Sequence, residues 1–557
     1  MLRLPQSLSA SSRIARAARA LLLCALTCPL ANAEEPDLGA FASLQNVPDV
    51  VDAAAVFENP ADAVLLSPVG RSMRTMLSFA GVFTHTEHAW QALADTFGAP
   101  KDDTIRSLLS KQVIVVWDGF ESADPNTERL TESIDTRWTL ICKVEPEYLR
   151  EIRKSLRPVK RDIVSNRPVY AIEQGRYRIA LIDAIAPGEP ASVLLAPRSG
   201  AELLHAVLTH YDANQTPPVS SVTQNREPML AELNAQHAAS ADATWTCAFI
   251  ARLEIFKLLS PDDAHDQPAQ NHVLAGIIKL DQGQLRSTFG TDAPIEPDLP
   301  DAPIELYEAV ANDSVLAVAS AKSPVMFISH DQMSLNMGIS TNPAQQQPDP
   351  ALDAPFFMSL SGGDAQSMSL SVTLRHPKRE PGETARMFDD AMHDIIASYD
   401  PDQAPRFDGC IPSAARHVQI QTQAQGDGTD IASYSWPGSN PQLAWSTSTA
   451  GEHDLTIACF APDAIDADDQ VRSITLASHA IEAAGPRTSS GVLFRASILP
   501  EEAMRIIDDP SIADLALAKL VRQLNIELRR GVHAPMRGSL RIQFSEHASK
   551  PRLGTDN

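Results

Sequence analysis

The chain has 557 residues, with 46 Lys and Arg against 70 Asp and Glu and a formal net charge of −24. That acidic excess argues against a nucleic-acid partner, whose phosphates are bound largely by Lys and Arg. The length exceeds what one ordinary core supports, so two or more domains are expected.

Residues 1–33 read as a secretory signal peptide. Arg3, Arg13, Arg16 and Arg19 precede the apolar run Ala20 to Leu30, and Ala31-Asn32-Ala33 supplies the small-x-small pattern of a cleavage site. The run is about 11 residues and holds Thr27 and Pro29, well short of the roughly 20 needed to span a bilayer. Leu23 and Thr27 stand where lipidation of Cys24 or Cys28 needs a small residue. The expected product is therefore exported to the periplasm or outside the cell, without a transmembrane span after cleavage. It carries 42 bases against 70 acids.

Four cysteines lie beyond the signal: Cys142, Cys247, Cys410 and Cys459. None is in a C-x-x-C pair, which argues against a zinc ribbon or a thioredoxin-like redox site. Two readings stand. Export permits disulfides, most simply Cys142 with Cys247 and Cys410 with Cys459; alternatively, cysteines inside strand-like runs such as WTLICKV, TWTCAFI and LTIACFA are small buried apolar residues.

In chain order, similar segments recur about 250 residues apart, a period that implies duplicated domains rather than a solenoid. Asn59 to Ser67 (NPADAVLLS) resembles Asn312 to Ser320 (NDSVLAVAS). Ser192 to Pro197 (SVLLAP) resembles Leu455 to Pro462 (LTIACFAP), each a strand ending in Ala-Pro before a helix. Thr244 to Leu259 corresponds to Gly491 to Ile507, a strand running into a short helix, and Gly276 to Phe289 ends in a strand comparable to Arg537 to Phe544. Hairpins are predicted at Val418 to Trp436 and Leu443 to Phe460. Helical stripes are predicted at Ile474, Ala477, Ile481 and Ala484, and at Leu517, Val521, Leu524 and Leu528. The expected fold is α+β, in two tandem, duplicated domains at 34–300 and 301–550 with a polar tail at 551–557. Each domain is expected to be one antiparallel sheet with helices on one face. The proline- and acid-rich stretch Thr291 to Pro303 is the expected boundary.

No phosphate loop, dinucleotide fingerprint, nucleophile elbow, H-E-x-x-H or EF-hand occurs in the sequence, so no cofactor is expected. His85, Glu87 and His88 could begin a metal site, although Thr84 and Glu87 also fit a helix capping box. Asp463, Asp466, Asp468 and Asp469 lack calcium-loop spacing and suit a helix N-terminus. His265 lies among acids in Pro261 to Asp266, in a turn-like stretch. Trp138 and Trp245 begin similar strands, where core packing is the common role of such aromatics.

The repeated strand ending in Ala-Pro before a helix (SVLLAPRSGAELLHAVL, LTIACFAPDAIDADDQV), with closing strands such as MRGSLRIQF, resembles large exported bacterial proteins grouped under domain-of-unknown-function labels. The resemblance implies a signal-bearing α+β protein and carries no site residues. Two functions are weighed: a non-enzymatic protein that binds an envelope protein, polymer or lipid through a sheet face or the cleft between halves, and an extracytoplasmic hydrolase assembled from dispersed Asp, Glu and His. A site of convergent acids and histidines would favour the hydrolase; an apolar groove would favour ligand binding.

Overall fold

The computed structural model describes residues 38–60, 84–118, 137–213 (except 185 and 187), 220–238, 245–252, 272–295 (except 282), 299–310, 314–321, 354–362, 369–398, 421–424, 430–435, 442–461, 464–484, 491–505 and 518–545. The signal segment, Asn59 to Ser67 beyond Pro60, His265 and Cys410 lie outside them.

Among the described residues twenty strands form one antiparallel sheet. In the first half they are β1 (Ala53–Glu58), β2 (Gln112–Trp117), β3 (Trp138–Val144), β4 (Arg161–Val164), β5 (Arg167–Ile172), β6 (Tyr177–Ile182), β7 (Ala191–Pro197), β8 (Trp245–Arg252), β9 (Val273–Asp281) and β10 (Gln284–Thr291). In the second half they are β11 (Leu316–Ser320), β12 (Phe356–Ser361), β13 (Ser369–Pro377), β14 (Gln421–Ala424), β15 (Asp430–Ser435), β16 (Gln442–Ala450), β17 (His453–Ala461), β18 (Val492–Ile498), β19 (Val521–Arg530) and β20 (Met536–Phe544).

Strand pairing in the first half runs β4-β5-β6-β7-β3-β2-β1-β8-β9-β10. From there it continues β20-β19-β18-β11-β12-β13-β17-β16-β15-β14. The second half thus retraces the first in reverse, each strand number raised by ten. Helices keep the same places: Pro146–Ser155 and Glu383–Ser398 follow β3 and β13, and Ala201–Ala213 and Ala464–Ala484 follow β7 and β17.

One expectation is corrected at the centre. Instead of one sheet per half, β10 and β20 pair directly from Gln284↔Gln543 to Thr291↔Met536, so the halves share a sheet. Left apart, each would be an edge strand with a row of open backbone donors and acceptors, and mutual pairing closes both. The strand matching β11 is also not Asn59 to Ser67. It is β1, which pairs with β2 and β8 as β11 pairs with β12 and β18.

Helices cover both faces, not one. On the first half, Val113, Cys142, Ile179, Leu181 and Leu195 cluster with Leu93, Leu108, Leu149 and Ile152 of helices Thr84–Phe97, Lys101–Leu109 and Pro146–Ser155. The residues between them along the strands, Ile114, Ile141, Leu194 and Ala196, cluster with Phe41, Leu44, Leu203, Val207 and Leu230. Runs such as β7 (ASVLLAP), buried at six of its seven positions, present apolar side chains to both sides and require cover on both. The second half repeats the pattern. Ala319, Phe357 and Ile457 meet Val471 and Ile474 of helix Ala464–Ala484, while Phe356, Met358 and Trp445 meet Phe388 and Met392 of helix Glu383–Ser398.

Of the stripe Leu517, Val521, Leu524 and Leu528, the last three are not helical but lie in β19, Val521–Arg530, and Leu517 is outside the described residues. Leu524, Ile526 and Leu528 alternate with Asn525, Glu527 and Arg529, a period of two, and a register shift between Val521 and Gln523 gives the outer spacing its helical look.

Candidate functional site

The central strands β10, β20 and β19 have two contrasting faces, and β9 borders them. Residues directly opposite on neighbouring strands share a face. On one face Leu285, Ser287 and Phe289 of β10 stand opposite Ile542, Leu540 and Gly538 of β20, which stand opposite Leu524, Ile526 and Leu528 of β19. These continue to Ile498, Ala496 and Phe494 of β18 on one side and to Leu280, Ile278 and Gly276 of β9 on the other.

Much of this apolar face is only half covered. Ile278, Phe289, Phe494, Leu524, Ile526, Leu528, Leu540 and Ile542 are all intermediate in exposure. A smaller buried cluster of Ala55, Cys247, Leu280, Leu285, Val521 and Phe544 lies beneath part of it. On the same face, helices seal the sheet to either side. The half-covered strip thus crosses five strands, β9, β10, β20, β19 and β18, between two helix-covered regions at roughly 4.8 Å per strand.

The opposite face of β10, β20 and β19 is polar, while on β9 it carries the buried Ala275 and Ile277 beside Lys279. Lys279, Arg286, Arg541 and Asn525 form one row, and Gly290, Arg537 and Arg529 another four residues along. Thr288, Ser539 and Glu527 lie between them. Arg537 pairs with Glu232 at 3.2 Å, Arg495 with Glu308 at 3.2 Å and with Glu527 at 3.5 Å, and Arg529 with Glu527. The linker between the halves is tied down here: Asp301 accepts from Arg530 at 2.9 Å and from the Gly491 amide at 2.9 Å.

The residues singled out from sequence do not converge on this surface. His85, Glu87 and His88 fall on helix Thr84–Phe97, but their side chains lie outside the described set. Among the described residues no group of three His, Cys, Asp or Glu side chains is placed to hold a metal ion. Cys142, Cys247 and Cys459 are free and buried, and burial pushes each thiol up to about 12. Cys142 and Cys247 belong to separate apolar clusters. Trp138 is a core residue, 8% exposed.

Two carboxyl groups are perturbed. Burial raises the Asp454 pKa, but hydrogen bonds from Thr384 Oγ1 (2.7 Å), the Arg379 amide (3.1 Å) and Thr449 Oγ1 (2.9 Å) outweigh that and hold it below the usual value. Asp468 is raised by burial, with Asp469 adding to the shift and Arg472 opposing it. A carboxylate held by three donors at the end of a hairpin is placed to brace β17 against the start of helix Glu383–Ser398. Sequence reasoning missed the two-faced centre; the one local signal for it was the alternation of Leu/Ile with Arg/Asn/Glu in β19 and β20.

The fold and surface together define an α+β protein built on one long antiparallel sheet with an amphipathic centre. No family model matches the chain, and no curated protein does. Among solved structures, crystal form III of TP0453 is 12% identical over 49% of this chain and 87% of its own length, with a TM-score of 0.24. Crystal form I gives 11%, 49%, 86% and 0.24. No helix among the described residues is long and apolar enough to cross a membrane.

Proposed function

We propose that the chain is an exported, non-enzymatic binding protein, formed by tandem duplication, whose ligand is an apolar chain of the lipid type lying along the apolar face of β10, β20 and β19. The observation that carries this reading is the half-covered row Phe289, Leu540, Ile542, Leu524, Ile526 and Leu528, flanked on the same face by helix-sealed sheet. Full burial of such a side chain from water gains roughly 1.5–3 kcal/mol, and these, already largely covered, gain a fraction of that each, so the driving force comes from the row together.

The duplication is supported by the two strand orders, which match at all ten positions, and by the helices that keep corresponding places. Duplication also accounts for the strip, because joining two copies by their terminal strands sets the last hairpins β9–β10 and β19–β20 side by side. A helix-on-sheet unit covers its middle strands most fully, while at the seam Phe289, Leu524, Ile526, Leu528, Leu540 and Ile542 keep intermediate exposure.

The test is displacement of a fluorescent fatty-acid probe from the delipidated full chain. Saturable binding that Ile526→Asp and Leu540→Asp each weaken at least tenfold is the expected result. Binding that both variants leave intact, or none at all, would overturn the reading.

A further inference from the structure

The polar side of the seam points to a second ligand, independent of the apolar one. Arg286 of β10 is directly opposite Arg541 of β20 on one side and Lys279 of β9 on the other. Three cations therefore stand in one cross-strand row of a chain whose net charge is −24. Like charges directly opposite each other on a sheet are destabilising. Elsewhere on this face the protein answers each arginine with acid: Glu232 for Arg537, Glu308 and Glu527 for Arg495, Glu527 for Arg529.

Arg286 and Arg541 are treated differently. No carboxylate among the described residues lies within ion-pair distance of either. Instead both turn toward one neutral acceptor: Gln284 Oε1 receives Arg286 Nε at 3.4 Å, Arg286 Nη2 at 3.2 Å and Arg541 Nε at 3.1 Å. A single amide oxygen thus holds two guanidinium groups whose remaining N–H donors face solvent, since both arginines are exposed. Lys279, 8% exposed, closes the inner end of the row. Gln543 opposite Gln284, and Asn525 opposite Arg541, add neutral hydrogen-bonding groups around it.

We propose that this row is a binding site for a phosphate-type oxyanion, held between the Arg286 and Arg541 guanidinium groups. The planar fork of arginine suits two oxygens of such an anion at once, and a doubly charged group neutralises the repulsion between the two facing guanidinium groups. Gln284 then acts as the placeholder that keeps both forks converged when no anion is present.

The phosphate can be free or the headgroup of a lipid, and the experiment separates them. Inorganic phosphate is titrated calorimetrically into the full chain at low salt, where screening is least. In parallel, the chain is floated with phosphatidylcholine vesicles with and without phosphatidic acid. The variants are Arg286→Gln, Arg541→Gln and Gln284→Glu, with Arg505→Gln as a control in the exposed pair with Glu501. Each site variant is expected to weaken phosphate or phosphatidic-acid vesicle binding at least tenfold, and the control to leave it unchanged. Phosphate binding without vesicle binding assigns a free anion; dependence on phosphatidic acid with phosphate inert assigns a headgroup. Gln284→Glu keeps both arginines and should raise the Tm, because a built-in carboxylate then takes the place of the anion. Binding to neither probe, equal binding by the site variants, or a Gln284→Glu variant that binds as the wild type does would overturn the proposal.

Discussion

Phe289 on β10 lies directly opposite Gly538 on β20, and its ring fills the space that a Cβ at position 538 would need. On its other side Phe289 faces Gly276 of β9, where an added Cβ would come within 2.9 Å of the Phe289 Cβ and 2.8 Å of the Phe249 ring. The Phe289 ring thus occupies the place of a side chain at Gly538 and the Phe249 ring that at Gly276, so each bare glycine admits an aromatic from the neighbouring strand.

Gly538→Val is therefore expected to lower stability by about 1–3 kcal/mol, the usual cost of overpacking. The added side chain meets both the Phe289 ring and Leu528, at 2.7 Å, so one side chain's shift does not relieve it. Gly98→Ala serves as the comparison, since an added Cβ there meets nothing within 4 Å, although its φ of +66° carries a backbone cost of its own. Urea midpoints at constant m-value check the ranking, and a Gly538→Val midpoint equal to wild type would remove Phe289 as the reason for the glycine.

The elements that sequence made legible are those whose local pattern has one solution. The strand SVLLAP became β7 and LTIACFAP became β17, each followed by its helix, and Ile474, Ala477 and Ile481 do face the core of the second half. Leu524 and Leu528 fit either period, and only the pairing of β19 with β18 and β20 decides for a strand. The seam was illegible for a different reason. Arg286 and Arg541 are neighbours through β10–β20 pairing alone, and no local periodicity reports a partner so far along the chain.

The two perturbed carboxyl groups should respond to pH with opposite signs. Asp454 has a folded pKa below its unfolded value, so its stabilisation is present above the unfolded pKa and disappears as pH falls through the folded one. Asp454→Asn is expected to cost about 1–3 kcal/mol near neutral pH, because Thr384, Thr449 and the Arg379 amide lose a charged acceptor. The difference from wild type should vanish in acid. Asp468 has its folded pKa raised, so its ionisation weakens the fold, and Asp468→Asn should raise the Tm at neutral pH with the gain shrinking as pH falls below the folded pKa. Thermal melts across pH in the two variants check both signs; a parallel response would contradict the assigned environments.

Trp445 is 1% exposed and donates from its indole nitrogen to Asp389 of helix Glu383–Ser398 at 2.7 Å. That bond fixes the helix against β16, since Phe388 and Met392 of the same helix pack in the cluster containing Trp445. Asp389→Ala leaves the indole N–H buried without its acceptor and is expected to cost about 1–3 kcal/mol. Trp445→Phe removes donor and ring volume together and should cost more. Chemical denaturation of the two variants gives the order, and a silent Asp389→Ala would mean that the helix is held by apolar packing alone.

Burial raises the pKa of the Cys142, Cys247 and Cys459 thiols to about 12, so at pH 8 almost none is in the reactive thiolate form. Access is blocked as well, because each residue lies within a strand under apolar neighbours. Iodoacetamide at pH 8 is thus expected to leave all three unmodified in the native chain and to alkylate all three in urea. Site-by-site mass spectrometry distinguishes this from a disulfide, which resists alkylation in urea until it is reduced. Protection of Cys142 and Cys247 that persists in urea and yields to reductant would show them bonded, and would require β3 and β8 to approach each other across the intervening β2 and β1.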